Sequence, residues 1–180
     1  MFQKITIKDI VFLAIFSAVL LGVSGLVMPL VMTTQIFGLR QLTSAPLFAL
    51  FCTIALYKVP KIGSLTIIGL ITGTVLLFMS PIMFFNNVIG AVAVEIVVLI
   101  IFRGYQKKSA PLVAAGLYIP FTLPITIVST QIMKGQSLSD ILGDPAMTVG
   151  ICIGTVILSF IGAFLGRKIA TELRKAGKLQ

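Results

Sequence analysis

The sequence contains no histidine and no tryptophan, and only two cysteines and five acidic residues in 180. Without histidine there is no H-E-x-x-H zinc site and no Ser-His or Cys-His nucleophile pair. No G-x-x-x-x-G-K-[ST] loop occurs, so this chain does not hydrolyse ATP by that route. Cys52 and Cys152 both lie in apolar runs, lack metal-ligand spacing and imply no disulfide. A carboxylate dyad would have to pair Glu95 with Asp140 or Asp144, which belong to different depths. Catalysis is therefore a minor reading, as is a purely structural scaffold, and binding is what remains.

What the chain does have is apolar length. It is 58% apolar with a mean hydropathy of +1.13, more than a soluble domain of this size can hide. Its net charge of +9 comes from short basic clusters between apolar runs rather than a continuous stripe, which argues for topology-setting charge and against nucleic acid. The expected fold class is an all-α integral membrane protein: one domain, 1–180, a compact bundle of six transmembrane helices over about 9–32, 42–57, 62–79, 83–102, 111–133 and 146–166. The first run is too long for a signal-peptide core and no A-x-A-like site follows it, so it reads as a retained helix.

Six spans put both termini on one side. Lys4, Lys8, Lys58, Lys61, Arg103, Lys107, Lys108, Arg167, Lys168, Arg174, Lys175 and Lys178 fall on that side, leaving only Arg40 and Lys134 on the other. The positive-inside rule then predicts both ends in the cytoplasm. The connections 33–43 (with Gln35 and Arg40), 80–81 and 134–145 are external, and the first and third are long enough to act as lids.

The first span, Asp9 to Met32, carries Ala14, Ala18, Gly22 and Gly25 at steps of four, four and three, so four small residues share one helical face. In a bilayer such a stripe marks close packing against another helix, in this chain or in a partner. Small pairs recur at Gly69 with Gly73, Gly150 with Gly154 and Gly162 with Gly166.

Candidate ligand-binding residues gather near the outer ends. Glu95 is the acidic residue deep in a span. With Asn87 and Ala91 it makes a polar track down one face of the fourth helix. It lines a pocket, serves proton coupling in a self-sufficient secondary transporter, or holds the bundle together through neighbouring hydroxyls. Pro120 and Pro124 fall on one face of the fifth helix and predict a kink or partial unwinding there, which points either to a pocket near Tyr118, Thr122, Thr126, Ser129, Thr130 and Gln131 or to a packing kink with back-bonded Thr and Ser. Phe84 and Phe85 with Asn86 and Asn87 form either a pocket wall with a polar handle or an interfacial aromatic anchor. Arg40 either holds an anionic or carbonyl group or is a solvated loop residue.

Several motifs resemble a known family. Lys4, Lys8 and Asp9 followed by Ala14-x-x-x-Ala18, the T-S-A-P of residues 43–46, the V-P-K-I-G of 59–63, the G-R-K of 166–168 and the K-A-G of 175–177 together resemble the S components of energy-coupling factor (ECF) transporters, of the MptD or Trep_Strep type. The likeness covers essentially the whole chain. It implies a substrate-binding subunit in the bacterial cytoplasmic membrane that captures a vitamin or related micronutrient from outside. The implied partners are a transmembrane coupling subunit, the T component, and two ABC ATPases. ATP and magnesium would then belong to those partners, with no cofactor on this chain. The alanine motif implies a docking surface at Ala14 and Ala18, extended along the stripe to Gly22. The family's ligand position implies Arg40, Asn86, Asn87 and the residues near Ser129 to Gln131. Tryptophan, on which several members stack flat aromatic vitamins, is absent, which weakens the case for thiamine-like or biotin-like ligands. A pyrimidine or pyridoxine-like precursor and a ligand as large as cobalamin both stay open.

Overall fold

The computed structural model describes residues 5–32, 36–107 and 109–177, and for 26–32 the backbone alone. Lys4, Gln35, Lys108 and Lys178 therefore lie outside the described residues, as does the start of the first external connection, 33–35. Among the described residues there are seven helices: α1 (Ile7–Met32), α2 (Leu39–Lys58), α3 (Ser64–Leu77), α4 (Pro81–Phe102), α5 (Ala110–Lys134), α6 (Leu138–Leu142) and α7 (Pro145–Lys175).

Five of these helices are long and apolar enough to cross a bilayer. The exception among the six expected spans is α3, whose 14 residues reach about 21 Å at 1.5 Å per residue, short of a ~30 Å hydrocarbon layer. Its short length has a local cause at each end. Gly63, at φ +94°, sets the start, and Ser80-Pro81 opens α4 immediately after the turn that ends α3. The polar connection expected at 134–145 contains α6, whose Ser137 cap accepts from the Asp140 amide at 3.3 Å.

Side-chain pairings give the helix directions. Asn86 meets Thr126 and Asn87 meets Tyr118, so α4 and α5 are antiparallel. Gly154, Gly162 and Gly166 face Leu42, Pro46 and Leu50 in that order, so α2 and α7 run parallel. The chain thus passes alternately between two ends of the bundle. The described basic residues follow: Lys8, Lys58, Lys61, Arg103, Lys107, Arg167, Lys168, Arg174 and Lys175 collect at the end where α1 starts, while Arg40 and Lys134 lie at the other.

The bundle is apolar on the outside and small or hydroxylated within. Ile15, Ile100, Ile153 and Phe164 are each more than half exposed, the arrangement expected where lipid is the solvent. Inside, Ala45, Ala49, Ala55, Ala91, Ala114, Ala115 and Ala163 are fully buried. Buried threonines satisfy themselves locally: Thr53, Thr72 and Thr155 each donate to the carbonyl four residues back, at 2.6, 2.7 and 2.7 Å.

Two expectations change. The prolines of α5 do not unwind it, and the helix is continuous from 110 to 134 through Pro120 and Pro124. Each proline removes one main-chain bond and leaves the rest of the ladder in place. The second helix begins three residues earlier than expected, so Arg40 stands in its first turn rather than in a loop, and Pro46 lies inside the helix.

Candidate functional site

Starting α2 at Leu39 puts Arg40, Thr43, Ser44 and Leu47 at helical spacing on one face, and that face lines a cavity of about 220 Å³. The cavity lies toward the end of the bundle away from the chain termini. Leu21 and Ser24 of α1, Leu76 of α3, Asn86 and Asn87 of α4, and Ile119 and Thr122 of α5 complete much of its wall. The Arg40 Nη1 donates to the Met83 sulfur at 2.8 Å. Thr43 and Ser44 donate to helix carbonyls one turn back, so their oxygens face the cavity as acceptors.

A polar network behind this wall holds it in position. The Thr126 hydroxyl accepts from Gln41 Nε2 at 3.1 Å and from Asn86 Nδ2 at 2.8 Å, and itself donates to the Thr122 carbonyl at 2.7 Å. Ser129 donates to Asn86 Oδ1 at 3.2 Å, and the buried Tyr118 hydroxyl donates to Asn87 Oδ1 at 3.0 Å. One threonine thus ties α2 to α4 through α5, which fixes the rotamers of two lining amides.

The expected site residues therefore separate into three groups. Arg40, Asn86 and Asn87 line the cavity, and Tyr118, Thr126 and Ser129 stand behind them as supports. Phe84, Gln131 and Glu95 are not on the wall. Phe84 packs edge-on to Phe85, with ring centres 5.5 Å apart, and lies against Gly73 of α3. The main-chain carbonyl of Gln131 accepts from the Gly135 amide that closes α5.

Glu95 serves the start of α3. Its carboxylate accepts from the backbone amides of Gly63 and Thr66 and from the Thr66 hydroxyl. These amides belong to the helix N-terminus, whose unpaired donors and positive dipole end favour an anion. A side chain from α4 thereby caps a helix whose own N-cap is a glycine. The polar track expected from Asn87 to Glu95 is interrupted, because Ala91 between them packs directly on Gly69. Tyr105, in the turn after α4, is buried nearby, and burial first and the Glu95 charge second push its phenol well above the usual range. A second tie joins the same end: Lys61 meets Asp9 at 2.6 Å, and Asp9 accepts from the Thr6 amide in the first turn of α1.

The small-residue stripe of α1 faces away from the other helices over Ala14, Ala18 and Gly22. Leu13, Ser17 and Leu20 are the buried residues of α1, whereas Ala18 and Gly22 are exposed, Ala14 is half-buried and Gly25 borders the cavity. A methyl group added at Gly22 or Gly25 would meet nothing within 4 Å.

The family described as "Hypothetical bacterial integral membrane protein (Trep_Strep)" matches residues 7–172. The chain belongs to the Trep_Strep family. Among solved structures, one titled "Crystal structure of an S-component of ECF transporter" superimposes with a TM-score of 0.63 over 98% of this chain and 89% of that one, at 15% identity. The two share a fold. No curated protein matches the sequence.

Several lining residues of this Trep_Strep chain escape sequence reasoning. Ser24, Gln41, Thr43, Ser44, Met79 and Met83 were not singled out. The signal for three of them is present in R-Q-L-T-S (40–44), once that stretch is read as the first turn of α2 rather than the end of a connection. Ser24 and the methionines carry no local signal, because only the meeting of α1, α3 and α4 makes them neighbours.

Proposed function

We propose that this chain is the substrate-binding membrane subunit of an ECF-type importer. It would take a vitamin-like micronutrient from outside and deliver it through a T component driven by two ABC ATPases. The observation that carries the reading is a largely apolar cavity with a few polar groups on its wall, at one end of an S-component-like fold, combined with an outward small-residue face on α1. The basic residues gathered at the opposite end support a cytoplasmic placement of both termini, with the cavity toward the outside. The exposed stripe of Ala14, Ala18 and Gly22 would be the docking surface, where a partner helix can approach the backbone closely.

Reconstitution tests this reading. The purified chain in liposomes should retain a co-purifying small molecule yet accumulate none, and transport should require the coupling subunit and ATPases. Uptake by the chain alone, driven by a proton or sodium gradient, would overturn it in favour of a carrier that uses Glu95. The bonds from Glu95 to the α3 terminus, away from the cavity, speak against that carrier.

A further inference from the structure

The cavity wall is one-sided in charge. Arg40 is a cation on it, and none of the described lining residues is a carboxylate. Neither the last part of α1, 26–32, nor the connection 33–38 contains an acidic residue. The Ser24 hydroxyl, on the same wall, is buried and makes no hydrogen bond to the described protein, so a further donor stands ready inside. Most of the remaining surface is apolar, with Phe48, Leu76, Met79 and Ile119 around the polar groups.

The volume adds a limit. About 220 Å³ is roughly seven times the ~30 Å³ share of one water and lies below the ~300–1,000 Å³ of common ligand pockets. That size favours a compact ligand. A cationic ligand would bring its charge beside a guanidinium with no lining carboxylate to compensate it, a costly arrangement away from water.

We propose that the cavity takes a compact amphipathic anion, its acid group turned toward Arg40 and its apolar body against Phe48, Leu76 and Ile119. This rests on the cavity being the ligand site. A carboxylate suits a planar guanidinium, which can donate two parallel hydrogen bonds to it. The Ser24 hydroxyl offers a further donor to the ligand.

Three probes of nearly one shape separate the possibilities: phenylacetate, phenylacetamide and phenethylamine, which carry negative, zero and positive charge at neutral pH. Binding of each at millimolar concentration would be measured on the full chain in lipid nanodiscs, by ligand-observed NMR and thermal unfolding. The acid should bind about tenfold more tightly than the amide, the scale of one charge-assisted hydrogen bond, and the amine most weakly. Arg40→Gln should erase the preference for the acid, and Arg40→Lys should keep it. Leu76→Trp, which fills the cavity, should abolish binding of all three. An amine that binds as well as the acid, or an acid preference that survives Arg40→Gln, overturns the anion assignment while leaving the cavity as a binding site. Probes that bind equally well to Leu76→Trp, or no binding by any of them, overturn both.

Discussion

The first and last long helices carry nearly the same written signal and use it in opposite ways. In α7, Gly162 and Gly166 lie against α2 so closely that a methyl at Gly162 would overlap the Pro46 carbonyl, and one at Gly166 would sit 2.6 Å from the Leu50 carbonyl oxygen. In α1, Gly22 faces open space and Gly25 borders the cavity, and the side chains that enter the core are Leu13, Ser17 and Leu20, on another face. Small residues at steps of four permit two backbones to approach closely, but the pattern says nothing about whose backbone arrives. In this chain one stripe is consumed by the fold and the other is left uncovered by it.

Breaking the internal seam should have the largest effect. Gly162→Val inserts branched bulk against main chain rather than against a movable side-chain tip, so it should cost ~3 kcal/mol or more and strip the protein of a monodisperse folded peak in size-exclusion chromatography. Gly22→Val, its counterpart on α1, should change stability by less than ~0.5 kcal/mol in the same assay. Equal damage at both positions would erase the distinction between the helices.

The outward stripe is tested by assembly rather than by folding. Ala18→Trp should melt like the parent protein and lose co-purification with the coupling subunit, because the indole prevents close helix approach. Unimpaired co-purification would leave the open face of α1 without a role.

Glu95 falls on the internal side of the same division. Glu95→Ala removes the acceptor for two amides and a hydroxyl at the start of α3, which should lower stability by ~2–3 kcal/mol. Glu95→Gln keeps one carbonyl acceptor and should cost less. Affinity for the co-purifying ligand should be unchanged in the Gln variant, and a tenfold loss would return Glu95 to the binding site.

How much of this was legible follows from the reach of each signal. Helix positions and the sorting of charge to one end were readable, because each is set by a local run or by topology alone. The orientation of the α1 stripe was not, since Leu13, Ser17 and Leu20 make an equally regular face whose burial depends on where α2 and α3 lie. Glu95 announced an energetic problem, and one of its readings, a bond to a neighbouring hydroxyl, is met by Thr66, whereas the Gly63 and Thr66 amides that share the carboxylate come from another helix and carry no local signal. Arg40 was assigned to a connection because R-Q-x-T-S looks polar, and the cavity that makes those residues useful is a product of five helices. Pro120 and Pro124 predicted a kink or partial unwinding on chemical grounds, and the helix runs through both without unwinding.

A milder effect than that of Glu95 lies where the two sides of the division meet, at Thr126. Its hydroxyl is outside the cavity, but Gln41 and Asn86, which it holds, belong to the wall. Thr126→Val keeps the shape and removes the oxygen, so both amide donors lose their acceptor, while Asn86 retains its bond from Ser129. Half-buried Gln41 can turn toward solvent, and the loss should total only ~1 kcal/mol, read as a shift of a few degrees in thermal unfolding. Ligand affinity should fall a few-fold for the same reason, because a wall amide free to rotate is no longer pre-organised for its ligand. If stability drops and affinity does not, Asn86 belongs to the helix packing, and the cavity's recognition rests on the α2 face that begins at Arg40.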